Sequence, residues 1–515
     1  MKRDVQDLVN EGIFYAQKGK IAFAEKILIK AVELYPEDEI AQFNLGQLYF
    51  NSGQTQKAIE CYEKVLKLNP NNTNVLNNLF LLYRLVMDYS KADTISNILD
   101  DSGMEEPLIS LYKDHNIKKN LEIAKIRSNL INDKPGTYKE NIEKKNKLVI
   151  GYLSYDFRLH PMAQLIEGLF RNHDKKEFKI IAFSTGHNDK SVWREKIFNS
   201  VTKFVDASEL NDEELINLIK SNKVDILVDL GGHTAGSRQR ALSFKPAPVV
   251  VNFLGFAGSM GSNYHDYIIA DRTVIKKNEE KYFTEKIVYM PDTYYPTNNK
   301  WMKSKNKYTR KDFSLPQNMF VYASFVQTVK IDEYTFRVWM KILKQNENSV
   351  LWLLKQKYGI YENHKRLARE AGVNPNRIIY SDELPKFDHL SRLKLADLLL
   401  DTLVYGAHTT TVDGLWAGIP TITIYGKHFA SRTPSSILKA ISLEKLIAKN
   451  ENEYLKLAHH YYENKQELEF LKNELNENVK TTNLFNSKMF TENIEKAYRQ
   501  MYKNLLLRKK TNIYL

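Results

Sequence analysis

Short apolar runs recur along two stretches of the chain, between residues 147 and 271 and between residues 319 and 426. The runs of the first stretch are KLVIGYLS (147–154), FKIIAFST (178–185), VDILVDLGG (224–232), PVVVNFLG (248–255) and YIIAD (267–271). The runs of the second stretch are MFVYASF (319–325), SVLWLLK (349–355), RIIYSD (377–382), LADLLLDT (395–402) and TITIYG (421–426). Near-continuous apolar runs that alternate with helical segments are typical of parallel strands covered by helices on both faces. The pattern therefore predicts two Rossmann-like α/β domains in series, with a ligand cleft at the carboxyl ends of their strands.

The first hundred residues contain a pattern that repeats every 34 residues. The landmarks of the first copy and then of the second are Gly12, Tyr15, Ala24, Leu28, Ala31 and Pro36, followed by Gly46, Tyr49, Ala58, Tyr62, Val65 and Pro70. A weaker third copy has Phe80 where the first two have glycine, and continues with Tyr83, Ala92, Ser96 and Leu99. Small residues let paired helices approach closely, and proline ends each unit. This pattern resembles the tetratricopeptide repeat, which implies an array of helical hairpins able to hold a peptide or a second copy of the chain.

The remaining segments complete a predicted order of five parts. These are the repeats (1–105), a polar helical linker ending in NDKPGTYKENIEKKNK (106–145), the first Rossmann-like domain (146–300), the second (301–445) and long charged helices that pack back on both (446–515).

The charge distribution and the cysteine content argue against a nucleic-acid-binding protein and against a disulfide-bonded one. The net charge is +13, from 75 Lys and Arg against 62 Asp and Glu, but the lysines are spread without a basic stripe. We therefore expect no nucleic-acid partner. The single cysteine, Cys61, excludes an internal disulfide, and no apolar run approaches the ~20 residues of a membrane span. The opening residues lack the apolar core of a signal peptide, so the sequence predicts a cytoplasmic protein.

One motif, AHTTTVDGLW (407–416), combines hydroxyl side chains with a predicted helix start at a strand end. Backbone N–H groups and the helix dipole make that position a candidate anion site, to which His408, Thr409 and Thr410 add polar groups. Asp413, in the first turn, is placed to accept hydrogen bonds from ribose hydroxyls. The alternative is that the threonines only cap the helix.

Other candidate residues also follow predicted strands. In the second stretch, Lys330 could neutralise a diphosphate, and Gln327 lies beside it. Three further polar residues, Lys386, His389 and Arg392, follow another strand, the last two at a spacing of i, i+3 that shares one helical face. Surface lysines and a solvated polar face are the alternatives.

The first stretch offers further candidates after its strands. Asp156 and His160 follow the first strand, and histidine is the natural general base near neutral pH. The glycine-bearing turns GGHTAGSR and LGFAGSMG end strands too and would let the backbone approach a ligand, with Leu254 and Gly255 as the candidates in the second turn. The sequence contains no Asp-x-Asp triplet, Cys/His ligand cluster or Walker loop, so we expect no metal.

Four long motifs resemble the protein O-GlcNAc transferase family, its bacterial branch especially. These are GYLSYDFRLHP, LVDLGGHTAGSR…KPAPVVVNFLGFAGSMGSNYHDYIIAD, YASFVQTVKID…NSVLWLLK and LADLLLDTLVYGAHTTTVDGLWAGIP. The resemblance implies tetratricopeptide repeats followed by a two-domain GT-B glycosyltransferase. It also implies inverting, metal-independent transfer of a sugar from a nucleotide diphosphate to Ser or Thr hydroxyls of a protein, without a cofactor. UDP-GlcNAc is the favoured donor, and the repeats are candidates to hold the acceptor protein.

The resemblance also implies a role for each candidate residue. Lys330 stabilises the departing diphosphate, and Gln327 lies near it. Thr409 and Thr410 contact phosphate, with His408 beside them and Asp413 at the ribose. The uridine-side contacts are Lys386, His389, Arg392 and the backbone of Leu384. Asp156 and His160 are acid/base or substrate-positioning groups, although the α-phosphate of the donor is an alternative base.

Some residues depart from the family pattern near the sugar. Tyr405 stands where the animal enzyme has a small residue, and Val329 stands where the family has an aromatic residue. Met162 replaces a hydroxyl residue, and Gln164 replaces a histidine. These changes leave the diphosphate contacts intact and keep glucose and fucose open as transferred sugars. The further alternatives are N-linked glucosyl transfer and an inactive, repeat-based interaction protein.

Overall fold

The computed structural model describes residues 4–132, 136–138, 142–301, 304–355 and 361–515. The described residues form two compact units. The first unit takes its residues from Met1–Glu105, Phe325–Lys344 and Leu353–Glu383. The second takes its residues from Glu106–Ser324, Gln345–Trp352 and Leu384–Leu515.

Three helical hairpins of the first unit follow the repeat of the sequence. They are α1 (Val5–Gln17) with α2 (Ile21–Leu34), α3 (Glu39–Asn51) with α4 (Thr55–Leu68), and α5 (Thr73–Leu85) with α6 (Tyr89–Ser102). Each helix therefore begins 34 residues after its equivalent in the preceding hairpin. A Cβ added at Gly46 would lie 2.7 Å from the ring of Tyr62, so the helices of the second hairpin approach closely because that position lacks a side chain.

Fourteen strands are found in the described part of the chain. They are β1 (Leu148–Ser154), β2 (Phe178–Ser184), β3 (Lys203–Asp206), β4 (Ile226–Asp229), β5 (Val249–Asn252), β6 (Tyr267–Asp271), β7 (Lys286–Met290), β8 (Phe320–Ser324), β9 (Ser349–Leu354), β10 (Ile378–Ser381), β11 (Leu398–Leu400), β12 (Thr421–Ile424), β13 (Ile447–Ala448) and β14 (Ile513–Tyr514). One sheet has the order β14-β7-β6-β5-β4-β1-β2-β3, and the other has the order β10-β9-β8-β11-β12-β13.

Both sheets have a point at which the strand order reverses. In the first, β1 pairs in parallel with β2 on one side and with β4 on the other. In the second, β8 lies between β9 and β11, and its pairing with β11 is parallel. Ligands of open α/β sheets bind outside the carboxyl ends of strands at such switch points. A ligand site is therefore expected at the segments that follow β1, β8 and β11.

Two further helices precede the first strand, and the others lie between strands or follow the last of the long strands. They are α7 (Pro107–Ser110), α8 (Ile117–Ile131), α9 (Pro161–Asn172), α10 (Val192–Ser200), α11 (Asp212–Ser221), α12 (Gln239–Ser243), α13 (Glu333–Gln345), α14 (Glu362–Glu370), α15 (Lys386–Leu393), α16 (His408–Ala417), α17 (Phe429–Ala440), α18 (Glu451–Glu463), α19 (Lys465–Thr481) and α20 (Ser487–Leu506). Within the part of the chain that the structure describes, no helix combines the length and apolar character that crossing a membrane requires.

The last helices contact both sheets within the second unit. Tyr498 of α20 hydrogen-bonds through its hydroxyl to the hydroxyl of Tyr152 in β1, at 2.9 Å. On the other sheet, the hydroxyl of Tyr322 in β8 donates to the carbonyl of Ala458 in α18, at 2.8 Å. In both contacts a tyrosine buries its apolar ring while its hydroxyl makes a hydrogen bond, as is usual for buried tyrosines.

The predicted fold class is confirmed, since helical repeats precede two parallel α/β sheets, and each of the ten apolar runs contains a strand. The strands that the apolar runs did not predict are β3, β7, β13 and β14. The residues of β3 are half-buried or exposed, and β13 and β14 have two residues each. These three strands therefore give no long apolar run in the sequence. Part of the predicted linker ending NDKPGTYKENIEKKNK lies outside the described residues, and the boundaries of the five predicted parts stay predictions.

Candidate functional site

The loop between β11 and α16 is fixed by buried hydrogen bonds. The carboxylate of Asp401, directly after β11, accepts the N–H of Ala407 at 2.7 Å. His408 donates from Nε2 to the carbonyl of Ala430 at 2.8 Å, and its ring stacks on Tyr405 with centroids 5.1 Å apart. Because both ends of the loop are bonded, the first turn of α16 has a defined position at the sheet edge.

The three threonines of this turn have different partners. Thr411 is buried and donates back to the carbonyl of Ala407, a common use of a hydroxyl inside a helix. Thr409 hydrogen-bonds through Oγ1 to the hydroxyl of Tyr295 at 2.9 Å, and both Thr409 and Thr410 are half-buried.

The alternative that the threonines cap α16 is wrong. The N-cap position is held by Ala407 and not by a threonine, and the methyl side chain of Ala407 accepts no hydrogen bond from the helix. The first backbone N–H groups of a helix have no partner within it, and the positive end of the dipole lies beside them. The start of α16 therefore presents backbone donors and the two half-buried hydroxyls of Thr409 and Thr410 to an anion.

Lys386 of α15 and Asp413 of α16 were predicted as two separate candidates, and in the structure they form one buried ion pair. Their side chains are 6% and 8% exposed, and the Lys386 ammonium also lies 4.2 Å from the ring centroid of Trp301. Burial raises the pKa of Asp413, and the Lys386 ammonium offsets part of that rise. The pair is a hydrogen-bonding group of fixed geometry beside the helix start, suited to a vicinal diol such as ribose.

His389 and Arg392 are also brought together. The Arg392 Nε donates to the Nδ1 of His389 at 3.1 Å, and the guanidinium lies 5.9 Å from the ring of Phe313. Burial, followed by the positive charges of Arg392 and Lys386, holds the pKa of His389 well below its usual range. The imidazole is therefore neutral near pH 7 and carries its proton on Nε2, since Nδ1 accepts. Leu384, the predicted backbone contact, is half-buried and lies two residues before α15.

Asp156 and His160 lie together after β1. The Asp156 carboxylate is 3.6 Å from Nδ1 of His160 and also contacts Arg158 at 3.2 Å. His160 is the N-cap of α9, where its Nδ1 accepts the N–H of Met162 at 3.2 Å. Partial burial lowers the pKa of His160, and the Asp156 carboxylate opposes that shift. The His160 side chain remains 40% exposed. With Nδ1 used as an acceptor, the neutral ring offers Nε2–H as a donor.

The turn after β5 has a strained backbone at the predicted residues Leu254 and Gly255. Leu254 has φ of +74°, and the N–H of Gly255 donates to the carbonyl of Phe253 at 2.9 Å. These values describe a γ-turn with positive φ at its central residue, a rare and strained form. A Cβ at Gly255 would lie 2.0 Å from the carbonyl oxygen of Leu230. Such strain is typical of functional turns and costs about 1–3 kcal/mol.

Gln327 and Lys330 belong to the first unit, unlike the other predicted residues. Between β8 and α13, a 3-10 helix covers Thr328–Lys330, and the N–H of Lys330 donates to the carbonyl of Gln327 at 2.9 Å. Gln327 is exposed and Lys330 half-buried. Both therefore follow the strand of the second sheet at which the order reverses.

Three residues of this region were not predicted from the sequence. Asp401 orients the loop before α16, Tyr295 contacts Thr409, and Trp301 contacts Lys386. Asp401 carried a signal, because an acidic residue closes the apolar run LADLLLD. Tyr295 and Trp301 lie in or near a Pro/Asn/Lys-rich stretch without periodicity, so only the tertiary structure reveals their contacts.

Two surface grooves lie apart from these residues. Grooves of about 370 Å³ and 570 Å³ are lined mainly by α20 and by α18. None of the predicted site residues lines either groove.

Comparison with known proteins places the chain in a family context. The model of glycosyl transferase family 41 matches residues 81–307 and 297–494, and a tetratricopeptide repeat model matches residues 40–72. The probable UDP-N-acetylglucosamine–peptide N-acetylglucosaminyltransferase SEC of Arabidopsis thaliana is 33% identical over 362 residues, which are 69% of this chain and 37% of the plant protein. A UDP-N-acetylglucosamine–peptide N-acetylglucosaminyltransferase of Caenorhabditis elegans is 25% identical, over 70% of this chain and 41% of the relative. The chain thus spans less than half the length of these curated relatives.

The fold is also that of a solved structure. A mutant form of the O-GlcNAc transferase of Thermobaculum terrenum superposes with a TM-score of 0.84 at 22% sequence identity. The likeness covers 97% of this chain and 98% of the solved one. It therefore extends over the repeats and both sheets.

Proposed function

The chain belongs to glycosyl transferase family 41, and we propose that it transfers a sugar, GlcNAc above all, from a UDP-sugar to Ser or Thr hydroxyls of a protein. The resemblance seen in the sequence motifs is confirmed by this family match. UDP-sugars carry a uracil, a ribose and a diphosphate, and the second unit offers a group suited to each.

The start of α16 carries this proposal. Its N-cap is Ala407, whose side chain accepts no hydrogen bond, and Thr409 and Thr410 add hydroxyls at the positive end of the helix dipole. A diphosphate is the ligand that a helix start of this kind favours. The adjacent pair of Lys386 and Asp413 suits the ribose that a nucleotide places next to its phosphates.

The uracil end of the donor suits His389 and the backbone near Leu384. Because His389 is neutral, with Nδ1 held by Arg392, its Nε2–H is a donor that suits an uncharged base with carbonyl oxygens. A charged imidazole would prefer an anion instead. The low pKa of His389 therefore favours a role at the base rather than at the diphosphate.

The reaction we propose is a single displacement with inversion. The acceptor oxygen forms a bond to the anomeric carbon while the bond from that carbon to the diphosphate oxygen breaks, and UDP leaves with the electron pair. Negative charge grows on the leaving diphosphate, so a fixed cation such as Lys330 and preorganised donors such as the start of α16 stabilise the transition state more than the ground state. These groups take the place of a metal in the proposal.

The acceptor hydroxyl must also lose a proton. His160 uses Nδ1 to accept the N–H of Met162, so its neutral form is a donor through Nε2. We therefore assign His160 and Asp156 to positioning of the substrates, and assign the proton to an oxygen of the donor α-phosphate.

The test is a ligand panel followed by a transfer assay. UDP, UDP-GlcNAc, UDP-glucose, GDP and GDP-fucose are each added to the full chain, and unfolding is followed by temperature. A ligand at about a hundred times its dissociation constant adds roughly 2.7 kcal/mol of stability. A shift with UDP and UDP-GlcNAc supports the proposal, and a shift confined to GDP compounds would indicate fucosyl transfer. If no nucleotide shifts the midpoint, the chain is an interaction protein and the proposal is wrong.

Lys330→Ala tests the leaving-group role within the same assay. We expect transfer to fall by about a hundredfold while the melting temperature is retained, since one preorganised charge-stabilising group is lost. Lys344→Ala is the control, because Lys344 is an exposed lysine of α13 in the same unit. Near-normal transfer by Lys330→Ala would refute the role of this lysine.

A further inference from the structure

The turn that carries Lys330 is hydrogen-bonded to the repeat array. Arg84, in the last turn of α5, donates from Nε to the carbonyl of Val329 at 2.8 Å. Tyr89, the first residue of α6, donates from its hydroxyl to the carbonyl of Ile331 at 3.0 Å. Both donors are buried, with exposures of 6% and 4%, and all of these residues lie in the first unit. Water therefore does not compete for these bonds.

These bonds fall on the carbonyls that flank Lys330. The peptide before Lys330 is held at its oxygen by Arg84 and at its N–H by the carbonyl of Gln327, at 2.8 and 2.9 Å. The peptide after it is held at its N–H by the carbonyl of Thr328, at 2.9 Å. Rotation of the backbone at Lys330 is thereby restricted, and the direction of its Cα–Cβ bond is fixed.

The turn depends on these outside bonds because it has few of its own. A 3-10 helix of three residues closes only one or two hydrogen bonds, with poorer geometry than an α-helix. On its far side the chain enters α13, where the Asp332 carboxylate accepts the N–H of Thr335 at 2.8 Å. The helix start fixes the end of the segment, whereas Arg84 fixes the peptide directly before the lysine and Tyr89 fixes the carbonyl of the residue after it.

Arg84 and Tyr89 are also departures from the repeat. The positions equivalent to Arg84 hold Ala16 and Phe50, and those equivalent to Tyr89 hold Ile21 and Thr55. The first two hairpins fold with these other residues, so the hairpin itself does not require an arginine or a tyrosine. Both side chains that donate these hydrogen bonds to the turn thus differ in chemistry from their equivalents in the first two copies.

We infer that Arg84 and Tyr89 are positioning residues for Lys330, so that the third hairpin is part of the reaction machinery. The inference rests on the proposed function, in which Lys330 stabilises the leaving UDP. Displacing a catalytic group by about 1 Å can cost up to a hundredfold in rate, so a backbone held by two buried bonds has a large effect on turnover.

Tyr89→Phe tests the inference against a matched change, Tyr83→Phe. Tyr83 lies on the same hairpin and is 5% exposed, but its hydroxyl donates to the Glu63 carboxylate at 2.7 Å, within the repeats. Each variant loses one hydroxyl that donates a hydrogen bond and keeps the ring. We expect Tyr89→Phe to lower kcat by about tenfold with little change in KM for the UDP-sugar, and Tyr83→Phe to stay within about twofold of the wild type.

A double-variant cycle separates positioning from general loss of stability. If Tyr89 acts through Lys330, adding Tyr89→Phe to Lys330→Ala lowers the rate no further than Lys330→Ala alone. Arg84→Lys, which keeps the charge but loses the Nε donor, should follow the same pattern. Equal losses in Tyr83→Phe and Tyr89→Phe, or additive losses in the cycle, would overturn the inference. A wild-type chain that transfers no sugar would instead refute the proposed function, and the inference with it.

Discussion

Asp413 and Lys386 are opposite charges that are both almost fully buried from solvent, and the Lys386 ammonium lies beside the ring of Trp301. Removing two charges from water costs several kcal/mol per ion, and their attraction returns that cost only with good geometry. An apolar pair of similar size would serve packing equally well. At the scale of residues, the pair is therefore better explained by a ligand than by stability.

A comparison of single and double variants tests that explanation. Asp413→Asn leaves the Lys386 ammonium buried without its partner, so we expect a loss of about 3–5 kcal/mol and no response to UDP. Lys386→Met combined with Asp413→Leu should recover most of the stability, because no charge remains buried, yet still show no response to UDP. Thermal unfolding with and without UDP measures both effects. A double variant that binds UDP normally would contradict the ribose role.

His364 gives the first unit a dependence on pH. It stacks on Phe336 with centroids 4.3 Å apart, and burial lowers its pKa to about 3. Below pH ~6.5 the unfolded chain binds a proton that the folded chain does not, so this stabilisation is present above that pH and declines below it. We expect a slope of about 1.4 kcal/mol per pH unit from this residue between pH 6 and 4. His364→Phe should reduce the slope of stability against pH by that amount, and an unchanged slope would contradict the assignment.

At the scale of elements, the γ-turn after β5 concentrates strain at a strand end. Neither φ of +74° at Leu254 nor the close approach of Gly255 to Leu230 is needed to end a strand. Turns of ordinary geometry would do so without the cost. The structure keeps the strain at a carboxyl strand end, where a backbone close to a substrate is useful.

Gly255→Ala tests the need for that turn. The new Cβ would meet a backbone oxygen at 2.0 Å, so the turn must shift, and we expect a loss of several kcal/mol or of transfer activity. Gly103→Ala is the control, because Gly103 also has positive φ, +65°, but nothing lies within 4 Å of its Cβ. Its cost should be about 1 kcal/mol, without loss of transfer. Equal effects of the two changes would show that the contact with Leu230 is unimportant.

The sequence predicted elements better than it predicted contacts. Long apolar runs marked the buried strands, and the repeat marked six helices, because burial and packing act directly on local composition. The candidate residues Lys386 and Asp413 were found as separate signals, and only the fold shows that they are one pair. Arg84 and Tyr89 could have been found as breaks in the 34-residue pattern. Tyr295 and Trp301 could not, since their partners are more than a hundred residues away or in another element.

At the scale of the whole molecule, the proposed reaction relies on fixed protein charges in place of a metal. We therefore expect an excess of EDTA to leave transfer unchanged. The measurement is the initial rate with a UDP-sugar and acceptor peptide, before and after the chelator. Added Mg²⁺ or Mn²⁺ supplies the control. Loss of activity that either ion restores would refute the metal-independent mechanism.

The bonds from α5 and α6 to the turn of Lys330 divide the array into two kinds of repeat. The first two hairpins carry neither of these bonds, so recombination could lengthen, shorten or exchange them without touching the chemistry. If Arg84 and Tyr89 position Lys330 as we infer, the third hairpin cannot be exchanged in this way. Variation in the choice of protein target should therefore accumulate ahead of residue 73, while the segment from there to Ser102 is inherited together with the transferase.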